Sequence, residues 1–235
     1  MSVKNFYFIL VKPQLGENIG ASARVLKNFG FNKLRIVNPI AKWPNFKAKA
    51  TSVGAIDILG KAKLFSSISD AVQDLHVVVG TTARLRNKNK KYLSFKNFKK
   101  INKNLKVGIL FGPESSGLSN KDLSNCNFVT KIPTNKKFES INLSHAVSLF
   151  CFKIFEINVY LNNNNYEKYP VNKAKKNEVE DLTNFLIKSL DSKGFLQPGH
   201  KRDDMLINIR NIFHRLELSD KEIRIFKGIF ANLTN

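Results

Sequence analysis

Six consecutive apolar positions, Phe6-Tyr7-Phe8-Ile9-Leu10-Val11, form the first patterned stretch of the chain. A run that is apolar at odd and even positions alike predicts a strand buried on both faces, as in a parallel sheet. After the polar loop 12–17 the period changes. Asn18 can cap a helix over 19–29, and Gly30 supplies the left-handed stop. Residues 33–37 predict a second strand, ended by Asn38-Pro39. A strand, a helix and a strand joined by a right-handed crossover place the two strands parallel.

The alternation continues. Residues 48–53 form a weak helix, Leu64-Phe65 a short strand, and Ser69 or Asp70 starts a helix that leads to a third strand over 76–80. A basic loop, 84–91, and a basic helix-like piece, 95–103, follow. Residues 107–111 are again apolar throughout and end at Gly112-Pro113-Glu114-Ser115-Ser116-Gly117, after which Ser119 or Asn120 caps a helix. A strand over 127–132 stops at Pro133. The stretch 141–161 has Leu143, Ala146, Val147, Phe150, Ile154 and Ile157 at helical spacing. Residues 163–176 are polar, rich in Asn and Lys, and read as a linker. Beyond them the pattern is helical only, broken at 194–199. The expectation is an α/β fold with a parallel sheet over 1–162 and a small all-helical C-terminal extension over 177–235.

Length adds that 235 residues bury a full core in one large domain, or in one plus an appendage. Charge adds more. The net charge is +21, which attracts polyanions, nucleic acid first and an anionic membrane second. Lys and Asn are used heavily even on plain solvent faces, and this discounts the signal. Two cysteines, Cys126 and Cys151, and four scattered histidines give neither a disulfide framework nor metal-ligand spacing. The expectations are a reducing, cytoplasmic compartment, no metal and no membrane segment.

Several chemistries fail on spacing. A nucleophile elbow needs Gly two positions before its Ser, where Ser115 has Pro113 and Ser116 has Glu114. There is no P-loop, and no GxGxxG follows the first strand. What remains is a set of strand ends in polar or glycine turns: Gly80-Thr81-Thr82-Ala83, Gly112-Pro113-Glu114 and Ile132-Pro133-Thr134. The segment Phe138-Glu139-Ser140-Ile141-Asn142 opens the long helix. Backbone groups at such ends hold small polar molecules. Each alone also reads as an ordinary turn or cap, with Ser140 as the N-cap.

Taken in order, Asn18-Ile19-Gly20-Ala21-Ser22-Ala23-Arg24, Val79-Gly80-Thr81-Thr82-Ala83-Arg84, Phe111-Gly112-Pro113-Glu114-Ser115-Ser116-Gly117-Leu118, and Ile132-Pro133 with Ser140-Ile141-Asn142-Leu143 resemble the SPOUT superfamily of methyltransferases. Within it they resemble the TrmJ-type tRNA ribose 2′-O-methyltransferases. The resemblance covers about residues 5–160 and continues into the tail at Gly194-Phe195-Leu196 and 209–215.

The resemblance implies a C-terminal trefoil knot that binds S-adenosylmethionine among Thr81, Thr82, Ala83, Gly112, Ile132, Glu139, Ser140, Ile141 and Asn142. Gly112 would let backbone approach the ligand, and Ile132 and Ile141 offer apolar surface for adenine. It implies catalytic roles for Arg24, Asn18, Glu114 and Asn142. Asn18 reads equally as a helix cap. Glu114 either bonds backbone amides of the knot loops or orients substrate. Arg24 lies four residues after Gly20, whose missing side chain would leave room for a sugar-phosphate backbone. A guanidinium keeps its proton, so a base role demands a strongly perturbed site, and electrostatic support is the conservative role.

The implied reaction is methylation of a ribose 2′-hydroxyl in tRNA, at anticodon-loop nucleotide 32, by a homodimer whose knots form the interface. RNA phosphates are expected along Arg84, Arg86, Lys88 and Lys90, then Lys96 to Lys103, and along Lys201, Arg202, Arg210 and Arg215. The alternatives are another tRNA or ribosomal RNA site, or a catalytically silent RNA-binding module. Where many relatives carry Arg in the second motif, this chain has Pro113 or Ser115.

Overall fold

The computed structural model describes residues 5–83, 90–100, 104–160, 173–197 and 199–234. Among these, seven strands form one sheet: β1 (Phe6–Val11), β2 (Leu34–Val37), β3 (Lys63–Phe65), β4 (Val77–Thr81), β5 (Lys91–Tyr92), β6 (Val107–Phe111) and β7 (Phe128–Thr130), in the order β3-β2-β1-β6-β4-β7-β5. Every pairing is parallel. The apolar runs explain this. Phe6, Phe8 and Leu10 of β1 face one core, and Tyr7, Ile9 and Val11 face another. Both sides therefore need cover, which gives three layers.

One side carries α1 (Gly16–Asn28) and α6 (Leu143–Tyr160), the other α4 (Ile68–Val72) and α5 (Asn120–Ser124). Short helices α2 (Phe46–Thr51) and α3 (Ile56–Gly60) follow β2 and pack on α1. The expected face of α6 is in the core, with Val147, Phe150 and Ile154 buried. Its opposite face keeps Leu149, Phe152 and Phe155 exposed, at 39%, 52% and 40%. No described helix is long and apolar enough to cross a membrane.

Several helix starts differ from expectation. Helix α1 begins at Gly16 after Leu15, which supplies no side-chain cap, so Asn18 lies inside the first turn. Gly30 does end it, at φ 75°. Helix α4 is capped by Ser67, whose hydroxyl accepts from the Asp70 amide at 3.1 Å, rather than starting at Ser69 or Asp70. Ser119 caps α5 in a reciprocal capping box with Asp122. Helix α6 starts one residue after Asn142, whose Oδ1 accepts from the Ser144 amide at 2.9 Å, so Asn142 rather than Ser140 is its cap. The basic piece after β5 is a 3₁₀ helix over Phe95–Lys100, and 101–103 lie outside the described residues.

The tail is α7 (Lys176–Ser192), α8 (Arg202–Leu216) and α9 (Asp220–Thr234), around Val179, Leu182, Phe213 and Ile223. The last four residues of the expected linker, 173–176, are built into the structure. The Ala174 amide donates to the Leu218 carbonyl at 2.9 Å, and the Lys176 amide to Leu75 at 3.0 Å. Lys176 and His214 are buried against each other, Asn127 Nδ2 donates to the His214 carbonyl at 2.9 Å, and Glu180 takes the other His214 nitrogen at 3.0 Å.

Candidate active site

Strands β6, β4 and β7 are neighbours, so their carboxyl ends open side by side. That is where ligands bind in parallel sheets. Thr81, Thr82 and Ala83 leave β4, residues 112–118 leave β6, and Ile132 follows β7. With Lys136, Lys137, Glu139, Ser140 and Ile141 they line a cleft of about 410 Å³. Phe111, Leu143 and Ala146 complete its apolar side.

Hydrogen bonds fix the rim. The Thr82 amide donates to Thr130 at 3.0 Å, and the Thr81 hydroxyl to Leu110 at 2.9 Å. The Gly117 amide closes the turn onto Pro113 at 2.8 Å. A Cβ on Gly112 would stand 2.2 Å from the Leu118 amide nitrogen and 2.3 Å from the Gly117 carbonyl carbon. Gly112 is thus required by the turn folding back on itself, ahead of any ligand. Lys131 pairs with Glu139 across the last loop.

Of the residues expected at the cofactor, Thr81, Thr82, Ala83, Gly112, Ile132, Glu139, Ser140 and Ile141 all line this one cleft. Asn142 does not. Its Nδ2 donates to Asn18 Oδ1 at 3.0 Å, and Asn18 Nδ2 donates to Glu114 Oε1 at 2.7 Å. Glu114 also accepts from the Gln14 amide at 2.8 Å and the Leu15 amide at 3.2 Å. The carboxylate therefore sits at the uncapped start of α1, where free N–H groups and the helix dipole favour an anion. The backbone amides that Glu114 holds belong to the loop before α1.

Arg24 lies on the same helix, exposed and outside the cleft lining. The space beside Gly20 is not open to RNA. A Cβ there would fall 2.1 Å from the Ala48 carbonyl oxygen and from Thr51 Oγ1, so Gly20 admits helix α2. Lys90 is also differently employed than expected. Its ammonium turns inward and donates to the carbonyls of Ser124, at 3.2 Å, and Cys126, at 2.7 Å. Burial brings its pKa down to about 8. It serves the C-terminal end of α5, where a cation is favoured. Arg84, Arg86 and Lys88 lie outside the described residues. In the tail, Arg202 pairs with Asp191 and Arg210 with Glu180, so both guanidinium groups have internal partners.

Residues 5–152 match the model of the SpoU rRNA Methylase family. The chain belongs to this family. It is 33% identical over 219 residues to the tRNA (cytidine-2′-O-)-methyltransferase TrmJ of Methanocaldococcus jannaschii, covering 91% of this chain and 93% of that protein. It is 29% identical over 241 residues to the tRNA (cytidine/uridine-2′-O-)-methyltransferase TrmJ of Pectobacterium atrosepticum, covering 97% and 96%. Its structure superimposes on the crystal structure of TrmJ from Z. mobilis ZM4 with a TM-score of 0.86 at 31% identity, covering 97% of this chain and 99% of that one.

For this SpoU-family chain, sequence reasoning missed Gln14, whose Oε1 accepts from the Ser115 amide at 3.0 Å. It also missed Lys136 and Lys137 on the cleft wall. In so lysine-rich a sequence, two more lysines between Pro133 and Glu139 carried no signal of their own.

Proposed function

We propose that the chain methylates a ribose 2′-hydroxyl of tRNA, cytidine or uridine at anticodon-loop nucleotide 32, with S-adenosylmethionine as donor. The observation that carries this reading is the Glu114–Asn18–Asn142 bridge beside a cleft whose chemistry suits that donor. Ile132, Ile141 and Ala146 offer an apolar surface to an adenine, while Thr81, Thr82, Ser116 and Ser140 offer polar groups to a ribose. Lys136 and Lys137 suit a carboxylate, and Glu139 an amino group. Bound there, the donor would supply a methyl group already activated on a sulfonium.

The chain's own task is then positioning and charge control. Glu114 fixes the start of α1 against the turn after β6, which sets the helix that carries Arg24. The Arg24 guanidinium stabilises charge developing on the acceptor oxygen and grips a neighbouring phosphate. It does not line its own cleft, so a second copy completes the site. The exposed apolar face of α6 supports such a homodimer. Phe29, next after α1, meets Phe152 edge-to-face and Phe155 at a tilt, with ring centroids 6.3 and 5.6 Å apart, which links that face to Arg24's helix. A trefoil knot belongs to the same reading, supported by β6 lying between β1 and β4 while β7 adds outside β4. Cytoplasmic residence is supported by the free, buried thiols Cys126 and Cys151.

Ribose-methylation mapping of tRNA after incubation with protein and donor tests the substrate. Modification at nucleotide 32 is expected, and modification only elsewhere in tRNA or in ribosomal RNA overturns that assignment. Arg24→Ala should bind the donor but transfer nothing. Mixed with Gly112→Ala protein, it should regain activity, because one site of the mixed dimer pairs an intact cleft with Arg24 from the other copy. Normal turnover by Arg24→Ala alone removes it from the mechanism.

A further inference from the structure

Phe46 is 82% exposed, more than any other large apolar side chain among the described residues. It opens α2, and its position is fixed from several directions. Asn45, just before it, caps α2 by accepting from the Ala48 amide at 3.0 Å. The Asn45 side chain lies against Gly16, where a Cβ would come within 2.0 Å of its Oδ1. Gly16 directly follows Leu15, whose amide Glu114 holds. At the far end of α2 the Thr51 hydroxyl donates to the Glu17 carbonyl at 3.1 Å. The preceding loop is tied down through the Ile40 and Ala41 amides, which both donate to Pro13, at 3.0 and 3.2 Å. A bare ring is thus displayed on a rigid mount, one packing contact from the start of α1.

Its surroundings are cationic. From Asn38 to Ala55 there are three lysines, Lys42, Lys47 and Lys49, and no acidic residue. All three are exposed, and Lys47 reaches Glu17 at 2.9 Å. A flat aromatic face among lysines suits a nucleotide, with the base on the ring and phosphates on the ammonium groups. A protein surface that packs on Phe46 would have to bury those charges.

Building on the methyltransferase reading above, we propose that Phe46 is a stacking platform for an unpaired base of the RNA substrate, flanked by Lys42 and Lys49 on its phosphates. Phe46 is a positioning residue. It holds single-stranded RNA beside α1 and takes no part in methyl transfer.

Full-length protein with Phe46→Ala, Phe46→Leu or Phe46→Trp tests this, scored by kcat and KM for tRNA and, separately, by the Kd for the donor. Loss of one stacked base should raise KM for Phe46→Ala and Phe46→Leu by about fivefold or more. kcat at saturating tRNA and the donor Kd should not change. Phe46→Trp should restore KM, and its fluorescence, corrected for Trp43 with wild-type protein, should be quenched by an isolated anticodon stem-loop and not by duplex RNA. Lys42→Ala and Lys49→Ala should each reduce the salt slope of RNA binding by about 0.7. Unchanged KM in Phe46→Ala overturns the proposal. So does rescue by Phe46→Leu, which marks a plain apolar contact with a protein or a second copy. The quenching experiment needs no turnover. If the wild type methylates no RNA, the functional reading fails while quenching still decides the role of Phe46.

Discussion

The Glu114 carboxylate and the Asn18 side-chain amide meet at 2.7 Å, although 96 positions separate them in sequence. This contact joins the turn after β6 to the first turn of α1, and Asn142 extends it to the start of α6. Glu114→Ala leaves two backbone amides and the Asn18 amide without their acceptor. The expected cost is about 1–3 kcal/mol of stability, read from denaturant unfolding. Glu114→Gln keeps the shape but brings an NH₂ group against donors. It should lose less stability yet slow methyl transfer by about tenfold, equivalent to about 1.4 kcal/mol.

Gly112 and Gly80 both lie at strand ends by the cleft, and they should respond differently to alanine. At Gly112 the new Cβ meets backbone of Gly117 and Leu118. Backbone has little freedom to give way, so Gly112→Ala should cost about 3 kcal/mol, at the upper end of overpacking, and abolish donor binding measured by calorimetry. At Gly80 it meets Leu123 Cδ2 at 2.5 Å and Cys126 Sγ at 2.9 Å. These side chains can shift, so Gly80→Ala should retain measurable binding.

Acid should loosen the tail before the sheet. His214 is held down at about 3 by burial and by Lys176 beside it. Glu180 is pushed up by burial, but hydrogen bonds from His214 and Arg210 outweigh this and hold it at about 2. Both groups take up protons more readily in the unfolded chain than in the folded one. His214's contribution is complete above its ordinary value of 6.5 and is lost as pH falls from there toward about 3. Glu180 adds to the loss below its ordinary 4.5. Hydrogen exchange should therefore show α7 and α8 opening between pH 6.5 and 4 while β1 and β6 stay protected. His214→Gln, with no proton to gain, should flatten the upper part of that profile.

Phe152 stands 52% exposed on the outer face of α6, in ring contact with Phe29. Phe152→Glu should leave the protein monomeric in sedimentation, where the wild type is expected to sediment as the proposed dimer, and abolish methyl transfer. Its thermal midpoint at low protein concentration should change little, because the side chain is not part of the monomer's core. A dimer that persists in this variant places the interface elsewhere.

The sheet was largely legible because its central strands are short, unbroken apolar runs, and β1 and β6 match their expected bounds. Ser119 was legible for a local reason, since its capping partner is three residues away. Asn18 was misread because the group that satisfies the start of α1 is Glu114, and no local pattern announces so distant an acceptor. Strand β5 escaped because its two residues, Lys91 and Tyr92, are exposed at the sheet edge and carry no apolar signature. Lys90 read as a surface cation because charge alone does not tell which way a lysine turns. The cleft residues emerged from the order of the family motifs. Singly, each was a plain turn.

The position of β6 also has a temporal meaning. It alone hydrogen-bonds to both β1 and β4, and both precede it in the chain. Until Val107 to Phe111 has left the ribosome, the two halves of the sheet share no backbone ladder, and each presents an open edge to its neighbours in the cell. The strand that joins them ends at Phe111, whereas β7 and the cleft wall from Ile132 to Ala146 come later in the chain, so the centre of the sheet can close before the cleft has all its walls.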